Sequence, residues 1–274
     1  MSDAALGRRE HCEDRLDPLL AARIAATLDR PAPGVGDALP GLWHWAFFQT
    51  PAPGAQLSPD GHPLTGDFLP AAPGRPRMWA GSRVWFHQPL HVGTPARRDS
   101  EIIAVNEKQG RSGALLFVTL RHRYLQHGAL AIEEEQDIVY RRPSAPVAGT
   151  PTPLADADWA AHHQPQPPLL MRYAGVTFNA HRIHYDLPYA TAEEGYAGLV
   201  VQGPLMATLM LQAFTDAHPQ AQPTFLQFRG LRPLIAGRPM RSGGRLLAPG
   251  EAEIFTDNDH GPIQVGRLHF LENP

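Results

Sequence analysis

The chain has 274 residues, is 43% hydrophobic and carries a formal net charge of -3. That is enough apolar material for at least one large core, and it lacks the basic excess that a counterion-driven grip on nucleic acid requires. One cysteine, Cys12, cannot form an internal disulfide, and no stretch approaches about 18 apolar residues, so the chain reads as soluble and cytoplasmic, with no membrane or nucleic-acid partner.

Ala and Leu at helical spacing predict a first helix over Leu16 to Leu28. A long Pro/Gly-rich passage follows, with prolines clustered at 31–40 and 51–76 that mark loops. Strand patterns then begin: Arg83 to Phe86, Glu101 to Asn106, Ala114 to Tyr124 and Ala131 to Tyr140, punctuated by Gly110, Gly113 and Gly128. This is the spacing of an antiparallel meander. The Pro-rich stretch 146–168 is read as a linker between an N-terminal domain, 1–145, and a C-terminal one, 169–274.

The second domain is expected to open with a short strand, Leu169 to Val176, and to continue through a His-rich segment and a turn at Glu193-Glu194-Gly195-Tyr196. The run Gly203 to Phe214 is apolar nearly all round with Pro204 at its start, so it predicts a helix buried on every side. Strands are predicted at Thr224 to Phe228, Arg241 to Ala248, Glu251 to Thr256 and Ile263 to Leu271. An antiparallel sheet wrapped around the apolar helix is the economical way to bury it.

Chemistry concentrates in Phe178-Asn179-Ala180-His181-Arg182-Ile183-His184-Tyr185-Asp186. His184 is the acid/base candidate, because an imidazole both takes and returns a proton near neutral pH. Asn179 cannot titrate but can hold a water or a carbonyl through its amide, and Asp186 is a candidate for fixing an imidazole tautomer. Two histidines and an aspartate in six residues also form part of a possible coordination shell, but no further strong ligand accompanies them at helical spacing, and no metal or cofactor is expected. Against this stands the bland reading that, among 14 histidines, two or three cluster by chance. At Gly203 a helix N-terminus offers backbone N–H groups to negative charge developing on a thioester carbonyl, or is simply a tight helix entry.

The strings Thr177 to Asp186, Pro188-Tyr189-Ala190, Glu194-Gly195-Tyr196 and Gly198 to Leu205 resemble the C-terminal half of the MaoC-like acyl dehydratases. Within that family the nearest branch holds the itaconyl-CoA and mesaconyl-C4-CoA hydratases and the mitochondrial-type 3-hydroxyacyl-thioester dehydratases. In the first half, Arg77-Met78-Trp79-Ala80-Gly81, Phe86 to Leu90, Gly110 to Gly113 and Glu135 to Tyr140 are similar to the same branch. The resemblance runs from about Leu16 to the C-terminus. It implies an α+β double hot-dog fold, two bent antiparallel sheets each around a helix, acting as a hydro-lyase on an acyl-CoA thioester, with a homodimer as the expected assembly.

The wider hydratases carry a D-x-N-P-x-H signature, and on this chain Asn179 falls at its Asp and His184 at its His, with His181 and Arg182 at its Asn and Pro. An amide is no general base, so the resemblance implies that His184 moves the proton, Asn179 positions the water and the Gly203 N–H stabilises enolate-like charge. His181 is a second possible acid. Gln202 stands where these hydratases have a histidine before Gly-Pro. For a dicarboxylic substrate, Arg182, Arg229 and Arg232 are candidate partners of the free carboxylate. The competing readings are a dehydratase of fatty acid synthesis, an acyl-thioester binding protein without catalysis, and a thioesterase.

Overall fold

A computed structural model describes residues 3–110, 113–142 and 152–272. Parts of the Pro-rich linker 146–168 and of the Gly110 to Gly113 motif lie outside them. The chain divides into two compact units, Met1–Ala80 with His87–Ser144 and Arg172–Arg182, and Gly81–Phe86 with Ala145–Met171 and Ile183–Pro274.

In the first unit, β1 (Arg9–Asp14) is followed by α1 (Pro18–Thr27), close to the predicted span. Asp17 caps α1 by accepting from the backbone N–H of Leu19 (2.7 Å) and Leu20 (3.0 Å), and Ala21, Ile24 and Ala25 form its buried stripe. β2 (Arg77–Phe86) begins six residues before the expected strand and runs from this unit into the second. β3 (Ala96–Gly110), β4 (Gly113–Gln126) and β5 (Ala129–Tyr140) form the antiparallel meander, giving the strand order β1-β3-β4-β5-β2. Alternation along β4 buries Leu116, Val118 and Leu120 against Ile102, Ile138 and Tyr140.

Farther along β4 the same face buries polar groups. His122 bonds Ser100 Oγ (2.8 Å) and Gln136 Oε1 (3.1 Å). Glu134 accepts from Trp45 Nε1 (3.0 Å) and Tyr124 Oη (3.4 Å) and lies 3.5 Å from His44 Nε2. Burial opposes the Glu134 charge, but His44, His122 and Trp45 outweigh it and hold its pKa below the ordinary carboxylate value.

β1 has no counterpart among the predicted elements. Its sequence, Arg-Glu-His-Cys-Glu-Asp, has no apolar period; it pairs with β3 through the backbone, with Arg9–Glu101 (3.0 Å) and Glu10–Arg98 (3.4 Å) contacts across the ladder. Such charge suits an edge strand, where it discourages further pairing.

In the second unit, α2 (Pro167–Val176), counted from its N-terminal residues, precedes α3 (Gly203–Ala217) and then β7 (Ala221–Gly230), β8 (Met240–Ala248), β9 (Glu251–Asn258) and β10 (Gly261–Glu272). The strand β6 (Trp159–His163) completes the order β2-β7-β10-β9-β8-β6. α3 packs against β6, β7, β8 and β9, burying Leu205 to Leu211, Ala213 and Phe214, as its all-round apolar sequence predicts. At Gly244 of β8 a Cβ would lie 2.3 Å from the Trp159 ring, so only glycine lets this tryptophan sit flat on the strand.

Two expectations are corrected. The predicted strand Leu169 to Val176 is helical in α2: the prolines at its start are tolerated there, and Leu170, Tyr173 and Ala174 bury at i, i+3 and i+4 while Met171 is 60% exposed. The stretch read wholly as linker contains β6, whose five residues pair with β8 from Trp159↔Gly244 to His163↔Met240. Trp159 is its one large apolar residue, too little for a periodic signal.

Candidate active site

The His-rich segment begins where α2 stops. Phe178 adopts a left-handed conformation (φ 50°) and is 62% exposed, the Asn179 N–H donates to Ala174 O (2.8 Å), and Asn179 Oδ1 then accepts from the His181 N–H (3.0 Å). Asn179 is thus a helix-end residue whose side-chain carbonyl folds the next turn. A short 3-10 turn, Arg182–His184, follows and buries Ile183 and His184.

His184 Nδ1 lies 2.7 Å from the carbonyl oxygen of Val200, within the second unit. A carbonyl only accepts, so Nδ1 carries a proton, and whenever the ring is neutral its lone pair is on Nε2, the arrangement a general base needs. Asp186 Oδ1 accepts from the Tyr189 N–H (3.1 Å) and opens the π-helical turn Tyr189–Glu193.

Gly203 is the first residue of α3, and Gln264 Nε2 donates to its carbonyl (2.9 Å). Gln202 is buried just before it, with Nε2 donating to Leu170 O (2.8 Å). Of the three arginines, Arg182 donates to Pro59 O (2.9 Å), and Arg229 is exposed on β7. Arg232 donates from Nε to Pro262 O (3.1 Å) and from one terminal nitrogen to Gly261 O (2.6 Å) and Asn258 Oδ1, which ties down the β9–β10 hairpin.

Sequence reasoning missed Asp60 and His62. Asp60 Oδ2 accepts from His62 Nδ1 (3.0 Å), and the His62 ring lies 4.2 Å from the His181 ring, centroid to centroid, all within the first unit. One ligand atom from each of Asp60, His62 and His181 lies within 4.8 Å of the others, so these are the described residues that could hold a metal ion. Burial opposes the Asp60 charge, but bonds from His62 and Ser58 outweigh it and hold the carboxyl well below the usual range. Burial pushes His62 below its ordinary pKa, with Arg77 adding to the effect and Asp60 opposing it. The only trace in sequence was an Asp-Gly-His turn inside a Pro-rich passage, and nothing local links it to a residue 119 positions later, at 181.

Comparison with known proteins adds identity to this geometry. The family model described as hydroxyacyl-thioester dehydratase type 2 matches residues 42–236. The chain belongs to this family. It is 49% identical over 244 residues to the mesaconyl-C(4)-CoA hydratase of Chloroflexus aurantiacus, covering 87% of this chain and 86% of that protein. It is also similar to the mitochondrial hydroxyacyl-thioester dehydratase type 2 of Schizosaccharomyces pombe, at 27% identity over 231 residues, 73% of this chain and 75% of that one. Among solved structures, a Mycobacterium tuberculosis protein with a double hotdog fold superposes with a TM-score of 0.58 at 15% identity, covering 98% of this chain and 97% of that one. The dehydratase-family chain is therefore an α+β double hot-dog enzyme of the hydro-lyase class, in line with the sequence reading. No helix among its described residues is long and apolar enough to cross a membrane.

Proposed function

We propose that the enzyme adds water across the double bond of a short enoyl-CoA, converting mesaconyl-C4-CoA or itaconyl-CoA to citramalyl-CoA, as in itaconate degradation. The observation that carries this reading is the buried His184 with Nδ1 on Val200 O, in a chain half identical to a hydratase. His184 Nε2 takes a proton from water as the oxygen attacks the β-carbon, Asn179 orients that water, and the Gly203 N–H at the start of α3 stabilises the negative charge gathering on the thioester oxygen. His181, Arg182 and Asp186 belong to the substrate-binding surroundings. The free carboxylate is assigned to one of Arg182, Arg229 and Arg232. Residues 1–145 and 169–274 act as two hot-dog domains joined by 146–168, of which Trp159–His163 pairs into the second sheet as β6, the second domain carrying the catalytic segment, in a cytoplasmic homodimer.

The second reading, a 3-hydroxyacyl-thioester dehydratase of fatty acid synthesis, is favoured by the family match over residues 42–236. A mass-spectrometric screen of enoyl-CoAs separates the two. Gain of one water on mesaconyl-C4-CoA or itaconyl-CoA in preference to straight-chain substrates is the expected result, and a preference that rises with chain length favours the dehydratase. Saturable binding without turnover, or release of free thiol, sinks both.

A further inference from the structure

In β10 the alternate residues Leu268 and Phe270 are buried, and the Phe270 ring meets Phe214 of α3 (4.9 Å). Continuing that row brings Gln264, a polar residue, to the same face, buried between β7 and β9. A register shift between Pro262 and Gln264 marks a bulge, a device that re-aims a side chain. The direct partner of Gln264 on β9 is Thr256, and the partner of Thr256 on β8 is Ser242. Both are fully buried, so three polar side chains cross the sheet in one row. Gln264 meets the start of α3: its Nε2 donates to Gly203 O (2.9 Å), and a Cβ on Gly203 would lie 3.5 Å from that nitrogen. All of these residues belong to the second unit.

Gln264 Oε1, Thr256 Oγ1 and Ser242 Oγ have no hydrogen-bond partner among the described residues. Turning the Gln264 amide round does not change this, because Gly203 O only accepts and so keeps the NH2 end toward itself. A buried acceptor left unmet is costly, so the oxygen marks a place for a donor. At its reacting end an enoyl thioester carries acceptors only, and the donor in hydration is water. His184 is tied to the same stretch of chain, with Nδ1 on Val200 O (2.7 Å), three residues before Gly203.

We propose that Gln264 Oε1 accepts a hydrogen bond from the water that is added and, afterwards, from the hydroxyl group that it becomes. The inference rests on the hydratase reading above. In the balanced step, the water oxygen bonds the β-carbon and the C=C π pair moves into the thioester as an enolate. One water proton passes to His184 Nε2 and is returned to the α-carbon as the carbonyl re-forms. The other stays on oxygen, held by Gln264 throughout, so one water is added and the glutamine takes no proton. The Thr256 and Ser242 hydroxyls, each both donor and acceptor, supply further polar partners of the kind a buried water needs. Gln264 also braces Gly203 through Nε2, and the test separates the two roles.

The test measures kcat, KM and inhibition constants for the full chain and for Gln264→Met. The inhibitors are a hydroxyacyl-CoA and its counterpart with hydrogen in place of the hydroxyl: citramalyl-CoA against methylsuccinyl-CoA, or 3-hydroxybutyryl-CoA against butyryl-CoA for an enzyme that prefers straight chains. The unmodified enzyme is expected to bind the hydroxyl form roughly fivefold tighter. Gln264→Met has similar volume but no acceptor oxygen. It should erase that preference, leave binding of the deoxy form unchanged, and lower kcat by about tenfold or more with KM nearly constant. Absence of a hydroxyl preference in the unmodified enzyme overturns the proposal whether or not the variant folds. So does unchanged kcat in Gln264→Met, or a loss of rate with the preference intact, since the side chain then only braces Gly203. Equal weakening of both inhibitors also overturns it, because the donor is then an amide N–H of the pantetheine arm. An enzyme inert toward every enoyl-CoA overturns the hydratase reading and this inference together, whereas an active one without a hydroxyl preference overturns this inference alone.

Discussion

At His184 a single backbone carbonyl decides what the side chain can do. Val200 O holds the Nδ1 proton, and the basic lone pair is left on Nε2. Removing the imidazole is expected to cost about 10²-fold or more in kcat, the usual range for a general base. It also strands a buried carbonyl, so an unfolding measurement on His184→Ala should accompany the kinetics, with destabilisation of about 1–3 kcal/mol. Asn179→Ala removes an orienting amide and the cap on the His181 N–H, and should cost less, below roughly 10²-fold. If His184→Ala turns over like the unmodified enzyme, the proton is moved elsewhere.

Among the elements, β8 and α3 depend on one another through a glycine. Trp159 of β6 lies over Gly243 and Gly244 of β8, and its ring meets Phe214 (5.5 Å) and His218 (4.9 Å) at the end of α3. Gly244→Ala would drive a methyl group into the indole, and since neither the paired strand nor the packed ring can retreat freely, about 1–3 kcal/mol of stability should be lost. Calorimetry checks this: an unchanged melting midpoint would mean that β6 peels away at little cost. The contrast with α1 is instructive, because its Asp17 cap, Pro18 and buried stripe are all local signals, and the helix was legible from the sequence for that reason.

On the scale of the whole molecule, acid stability should be governed by buried histidine. Burial holds His122 at about 4 in the folded state, against roughly 6.5 in an unfolded chain. Between those values the unfolded chain binds a proton that the folded one refuses. The stabilising contribution is therefore complete above about 6.5 and is lost as the pH falls toward about 4, on the order of 3 kcal/mol in all. Melting midpoints followed downward through this window should fall, and the fall should be shallower in His122→Gln; an equal slope in both proteins rejects His122 as the cause.

The sequence by itself determined the elements whose burial is periodic: α1, the strands of both meanders and the all-apolar α3. Patterns of this kind are written into neighbouring residues, since a helix stripe or a strand face needs only local spacing. Tertiary structure alone decided the rest. β1 is held by ladder bonds and ion pairs with β3, and β6 by pairing with β8. The Asp60–His62 pair lies more than a hundred residues from His181 and meets it through a glycine turn and backbone bonds, which carry no side-chain periodicity for a sequence to display.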